Sequence, residues 1–209
     1  MVAGNGVIRG HACKELAEFA ERLKIPVANT FMAKGVIPFK HPMALGSAGL
    51  QANDYISCGF AKADLIICIG YDLVEYHPYL WHQTKDRKII HIDQNHAEVD
   101  AYYSVDIGVV GDIKHSLARI MKIAKPTAGN AMHALRNVLV EEMNQHQSDN
   151  TVPMKPQKII WDLRTAMALD DIAISDVGAH KMWMARMFRC DQPNTCIISN
   201  GFAGMGIAV

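Results

Sequence analysis

Neither sign of charge is in excess in this chain, because 21 Lys and Arg balance 21 Asp and Glu. Such a balance offers no field to gather nucleic acid or an anionic membrane surface. No apolar run approaches ~18 residues, which excludes a membrane-spanning helix, and no charged-then-apolar leader opens the chain. The five cysteines (Cys13, Cys58, Cys68, Cys190 and Cys196) are odd in number and lack a C-x-x-C spacing. A disulfide framework is therefore not expected, and a reducing, cytoplasmic setting is. His77, His82, His91 and His96 lie near one another but share no ligand spacing on one element, so zinc is not expected either. Internal repeats and low-complexity tracts are lacking. What is present is a globular composition, 50% apolar and 20% charged.

The first 125 residues alternate strand-like and helix-like patterns. Val2-Ala3 runs into Gly4-Asn5-Gly6, followed by Ala12, Leu16, Phe19, Ala20 and Leu23 at helical spacing. Pro26 to Asn29 reads as a short strand. Asp64 to Gly70 and Lys88 to Asp93 are continuous apolar runs ended by polar residues, the pattern of strands covered on both faces of a parallel sheet. Ile107 to Val110 adds another, and a helix from Ile113 to Ile123 follows Asp112, which reads as its N-cap. This predicts an α/β fold, a doubly wound parallel sheet over 1–125. Residues 126–155 read as an interdomain linker carrying a polar helix from about Asn130 to Gln145. Residues 156–209 begin a second α/β domain that the sequence predicts to be truncated.

Two glycine-rich segments in that last part have the composition of a ligand site. Asp171 to Ser175 is an apolar run followed by Asp176-Val177-Gly178-Ala179-His180, and Cys196 to Ser199 is followed by Asn200-Gly201-Phe202-Ala203-Gly204-Met205-Gly206. Each places small or polar residues just past a strand, where open α/β sheets bind ligands. Val177-Gly178-Ala179-His180 offers amides and a helix start suited to a diphosphate, with His180 as a further donor. Met205, between two glycines, suits a loop pressed against a flat heteroaromatic ring. The glycines of Gly4-Asn5-Gly6 make a poor dinucleotide fingerprint, since Arg9 stands where a third glycine belongs and the second strand ends in Asn29-Thr30 without an acid. They read as a tight structural turn. His91 reads as a satisfied core histidine. Tyr71 to Pro78 fits two readings equally, the rim of a ligand crevice or a connecting loop with packed aromatics.

Nearly the whole chain resembles the thiamine-diphosphate-dependent acetolactate synthases. The resemblance rests on Pro26 to Pro38, Leu45 to Gly49, Ile89 to Asp93 and Val110-Gly111-Asp112, and then on Asp176 to Trp183 and Ser199 to Gly206. It implies a middle domain and the start of a diphosphate-binding domain, with carboligation of two pyruvates to 2-acetolactate and loss of carbon dioxide. Cofactor-binding positions would be Val177, Gly178, Ala179, His180, Ala203, Gly204 and Met205, with Met205 supporting the bent cofactor. The family's activating glutamate and its magnesium motif match no residue here, so no catalytic residue and no metal ligand is assigned, and the chain alone is expected to be inactive. Thiamine diphosphate and Mg2+ are the implied cofactors. The loop Gly70-Tyr71-Asp72-Leu73-Val74-Glu75-Tyr76 replaces the Arg-Phe-Asp-Asp loop of FAD-binding members, so the resemblance is to the flavin-independent, catabolic type and FAD is not expected. Ala179 and Ala203 depart from the usual Gln and Gly of the biosynthetic enzymes. Pyruvate is the expected small-molecule partner, in a homo-oligomer. Alternatives are another carboligase or decarboxylase using the same cofactor, a nucleotide-binding or regulatory module of similar fold, or a middle domain that only bridges catalytic ones.

Overall fold

A computed structural model describes residues 1–50, 55–127, 132–200, 202 and 204–209, with backbone only for 132 and 133. The elements run β1 (Val2–Ala3), α1 (Asn5–Arg9), α2 (Cys13–Leu23), β2 (Val27–Asn29), β3 (Ala44–Ser47), α3 (Tyr55–Lys62), β4 (Leu65–Ile69), β5 (Lys88–Asp93), β6 (Ile107–Val110) and α4 (Ile113–Ile123). They continue with α5 (Met132–Gln145), α6 (Pro156–Ala166), β7 (Ala173–Ser175), α7 (Ala179–Met187) and β8 (Cys196–Ile198).

The first six strands form one parallel sheet in the order β3-β2-β1-β4-β5-β6. Alternation along each strand explains its two apolar layers. Ala3, Val27, Ala44, Ile67 and Ile69 face one cluster with Leu16, Phe19 and Leu117 of α2 and α4. Their neighbours Val2, Ala28, Leu45, Ile66 and Cys68 face the other, with Ile56 and Phe60 of α3 and Leu139 of α5. This is the doubly wound architecture expected from the buried runs. β6 lies at the edge and is largely exposed, so its apolar residues do not mark a strand covered on both faces.

Asp112 is the N-cap of α4, its Oδ1 accepting from the His115 N–H at 2.8 Å. His91 is buried, with Nδ1 2.7 Å from the Tyr103 hydroxyl. The Gly4-Asn5-Gly6 segment corrects the turn expectation: Gly4 is the N-cap and Asn5 and Gly6 already belong to α1. β3 and α3 were not expected from the sequence pattern.

β7 and β8 pair in parallel around α7, with Ala173 opposite Cys196. Trp161, Met184, Met187, Phe188 and Ile198 of this unit share a buried cluster with Phe31 and Leu50 of the sheet domain and Met143 of α5. Arg136 on α5 donates to the carbonyls of Ala44 and Phe39, pinning the segment between β2 and β3 against α5.

Candidate functional site

The order of the large sheet reverses between β1, which leads on through β2, and β4, its other neighbour, so a crevice opens at their carboxyl ends. Glu75 closes it. Its carboxylate accepts from the Asn5 N–H at 3.1 Å and from the Thr30 hydroxyl, linking the ends of β1 and β2 to the loop after β4. Around it the loop is held by aromatics: the Tyr71 hydroxyl and the Trp81 indole both donate to the Tyr76 carbonyl, and Tyr71, Tyr76 and Trp81 are buried. Of the two readings left open for this loop, packed aromatics describe its rings and the crevice rim describes Glu75. Burial raises the Glu75 carboxyl above the usual range, against the lowering effect of the Thr30 and Asn5 bonds.

That shift has a sign that can be tested. A carboxyl raised on folding contributes most below its unfolded value, and the contribution is lost as pH rises through the folded value. Glu75→Gln keeps an acceptor and removes the charge. Wild type should therefore lose stability relative to Glu75→Gln between pH 4 and pH 7 in urea unfolding. Glu75→Ala should cost about 1–3 kcal/mol, because it strands the Asn5 N–H and the Thr30 hydroxyl. A wild-type-minus-Gln difference that stays constant with pH would show that the carboxylate is not desolvated.

The two glycine-rich segments meet at Asp176, immediately after β7. Its Oδ1 accepts from the Val177 N–H at 2.8 Å and its Oδ2 from the Gly206 N–H, and these bonds hold its carboxyl below the usual range, the Gly206 bond contributing most. Thus Val177, Gly178, Ala179 and His180 are brought beside the loop of Gly204 and Met205. The Val177 amide is already committed to Asp176. Amides for an anion come instead from the start of α7, whose N-cap Gly178 (φ +143°) supplies no side chain. Ala179 and His180 there are exposed, and Met205 is 85% exposed. Ala203 and Gly201 lie outside the described residues. Asp176 went unselected in the sequence reading because an acid after a strand ordinarily serves a turn; its spacing from Gly206 carries no signal without the fold.

Residues 1–120 match the thiamine pyrophosphate enzyme central domain. The chain belongs to the thiamine pyrophosphate enzymes. Residues 176–209 match the C-terminal TPP-binding domain of the same family, so both segments that meet at Asp176 fall within the portion named for the cofactor. The chain is 31% identical over 220 aligned residues to a probable acetolactate synthase large subunit of Methanocaldococcus jannaschii, covering 99% of this chain and 36% of the relative. It is 30% identical over 210 residues to an acetolactate synthase of Bacillus subtilis, covering 96% of this chain and 36% of that protein. A putative thiamine pyrophosphate-containing protein of B. subtilis is likewise 30% identical, over 99% of this chain and 36% of its own length. This thiamine pyrophosphate enzyme chain thus spans about a third of the length of the curated relatives it matches. Among the described residues no helix is long and apolar enough to cross a membrane.

Proposed function

We propose that this chain is part of a thiamine-diphosphate-dependent acetolactate synthase that joins two pyruvates into 2-acetolactate with loss of carbon dioxide. The observation that carries the cofactor's placement is the uncapped amino end of α7 beside the Gly204–Gly206 loop, both organised by Asp176. Open helix amides and the dipole suit a diphosphate, and an exposed thioether next to them suits the face of an aromatic ring. Val177, Gly178, Ala179 and His180 are proposed for the diphosphate end, and Ala203, Gly204 and Met205 for the rings. When bound, the cofactor supplies the electron sink for decarboxylation and carbon–carbon bond formation. The chain's own residues bind and orient it. Mg2+ is proposed to accompany the diphosphate, with none of these residues assigned as its ligand.

FAD is not part of the proposal, since Glu75 places an internal carboxylate where the switch-point crevice would receive a nucleotide. The domain division 1–125, 126–155 and 156–209, a homo-oligomeric state and a cytoplasmic location complete the reading, with no nucleic-acid or membrane partner. The test is an assay on the gene product that contains this chain. Two pyruvates should be consumed per carbon dioxide released, with acetolactate detected as acetoin after acid treatment. Acetaldehyde as the product, or turnover of glyoxylate or oxalyl-CoA without pyruvate, would favour the other thiamine-diphosphate enzymes, of which the third relative is a reminder.

A further inference from the structure

Lys34 is a buried lysine for which the proposed chemistry has no direct use. It follows the short turn Phe31–Ala33 after β2 and is only 6% exposed. Its Nζ donates to the Ala185 carbonyl at 2.7 Å, across 151 residues of sequence. Charged side chains are almost never buried without a partner, and the charged and titratable groups facing this one are the Cys196 and Cys190 thiols and the Arg186 guanidinium. No carboxylate is among them. The ammonium is therefore held chiefly by a backbone carbonyl.

The choice of carbonyl matters. Ala185 lies in the last turn of α7, where helix carbonyls have no intrahelical donor, and it is fully buried, so water cannot serve it. A cation there also complements the negative end of the helix dipole, leaving the positive end at Gly178–His180. The same loop grips the chain just beyond the helix, with the Phe39 N–H donating to the Cys190 carbonyl at 3.0 Å. At nine residues, α7 is about 13 Å long. Its amino end is uncapped, so this carboxyl-end attachment fixes where the helix start stands.

We propose that Lys34 is a positioning residue for the cofactor: by capping the carboxyl end of α7 from the sheet domain, it sets the helix start that receives the diphosphate. This rests on the diphosphate reading of Val177–His180. The test compares wild type with Lys34→Met, which keeps the length and loses the donor and the charge. Two measurements are made on the full chain. In amide hydrogen exchange, Lys34→Met should raise exchange across residues 179–187 at least tenfold while β4 and β5 stay protected. In calorimetric titration with magnesium, thiamine diphosphate should bind the variant at least fivefold more weakly, and thiamine without phosphate should show no such change.

Unchanged exchange across α7 overturns the proposal whatever the titration gives. Raised exchange with unchanged thiamine diphosphate affinity also overturns it, because Lys34 would then support the fold and not the site. If wild type itself fails to bind thiamine diphosphate, the diphosphate reading falls and takes the assignment with it, an outcome distinct from a failure confined to the variant. Should Lys34→Met not fold, Lys34→Gln carries the same comparison, retaining an N–H donor without charge; recovery of α7 protection but not of affinity would separate the hydrogen bond from the charge.

Discussion

Gly70→Ala is expected to destabilise the sheet domain by about 4 kcal/mol or more, a large share of the ~5–15 kcal/mol that holds an ordinary protein folded. Gly70 ends β4 with φ +57°, and a Cβ there would stand 2.3 Å from the Val7 backbone nitrogen and 2.7 Å from the Gly6 carbonyl carbon. The left-handed backbone alone costs about 1–2 kcal/mol for a residue with a Cβ. The contact adds the larger part, because both atoms are backbone and no flexible side chain can yield. Nor can the turn back away cheaply: the Gly6 N–H donates to the Gly70 carbonyl at 2.8 Å and the Gly4 N–H to the Ile69 carbonyl at 3.0 Å. Gly46→Ala is the control, since Gly46 has φ +90° but no atom within 4 Å of an added Cβ. Urea midpoints should fall far more for Gly70→Ala than for Gly46→Ala. Equal losses would mean that the β1–β4 approach is soft and that backbone strain is the whole effect.

That crossing also shows what sequence could and could not disclose. The runs from Asp64 and Lys88 announce buried parallel strands because four of the five residues of β4 are buried and cannot alternate with polar ones. β3 is only Ala44–Ser47 with a glycine inside it, too short and too small for the same signal. Asp112 and His91 were legible because their partners are local, a helix start and a neighbouring strand end. Lys34 and Glu75 were not, since a charge in a loop ordinarily lies in water and only distant segments bury these two. A faint sign exists in hindsight: each sits within a short apolar or aromatic run, Ala33 to Ile37 and Val74 to Tyr76. The two site turns could be found one at a time from a glycine after a strand. Their meeting at Asp176 depends on the β7–β8 pairing and is visible only in three dimensions.

Gly178→Ala should separate the cofactor site from the fold. At φ +143° and ψ −172° the Gly178 backbone lies where side chains are strained by about 1–3 kcal/mol. A Cβ would also stand 2.9 Å from Cε1 of His180, but that is the far end of a mobile, exposed side chain. The ring can swing away, so the cost to stability stays near the strain alone, well below that of Gly70→Ala. The cost to binding is larger in proportion. Relief of strain re-aims the Ala179 and His180 amides, and the displaced imidazole no longer faces the same anion. A loss of at least tenfold in thiamine diphosphate affinity is expected, about 1.4 kcal/mol, with thiamine lacking the diphosphate affected little. His180→Ala in the same titration distinguishes the ring from the amides: if it matches Gly178→Ala, the imidazole carries the effect, and if it binds nearly as wild type does, the helix start does. Should Gly178→Ala lose stability but keep its preference for the diphosphate over thiamine, the anion is bound elsewhere, and the amino end of α7 is a structural turn.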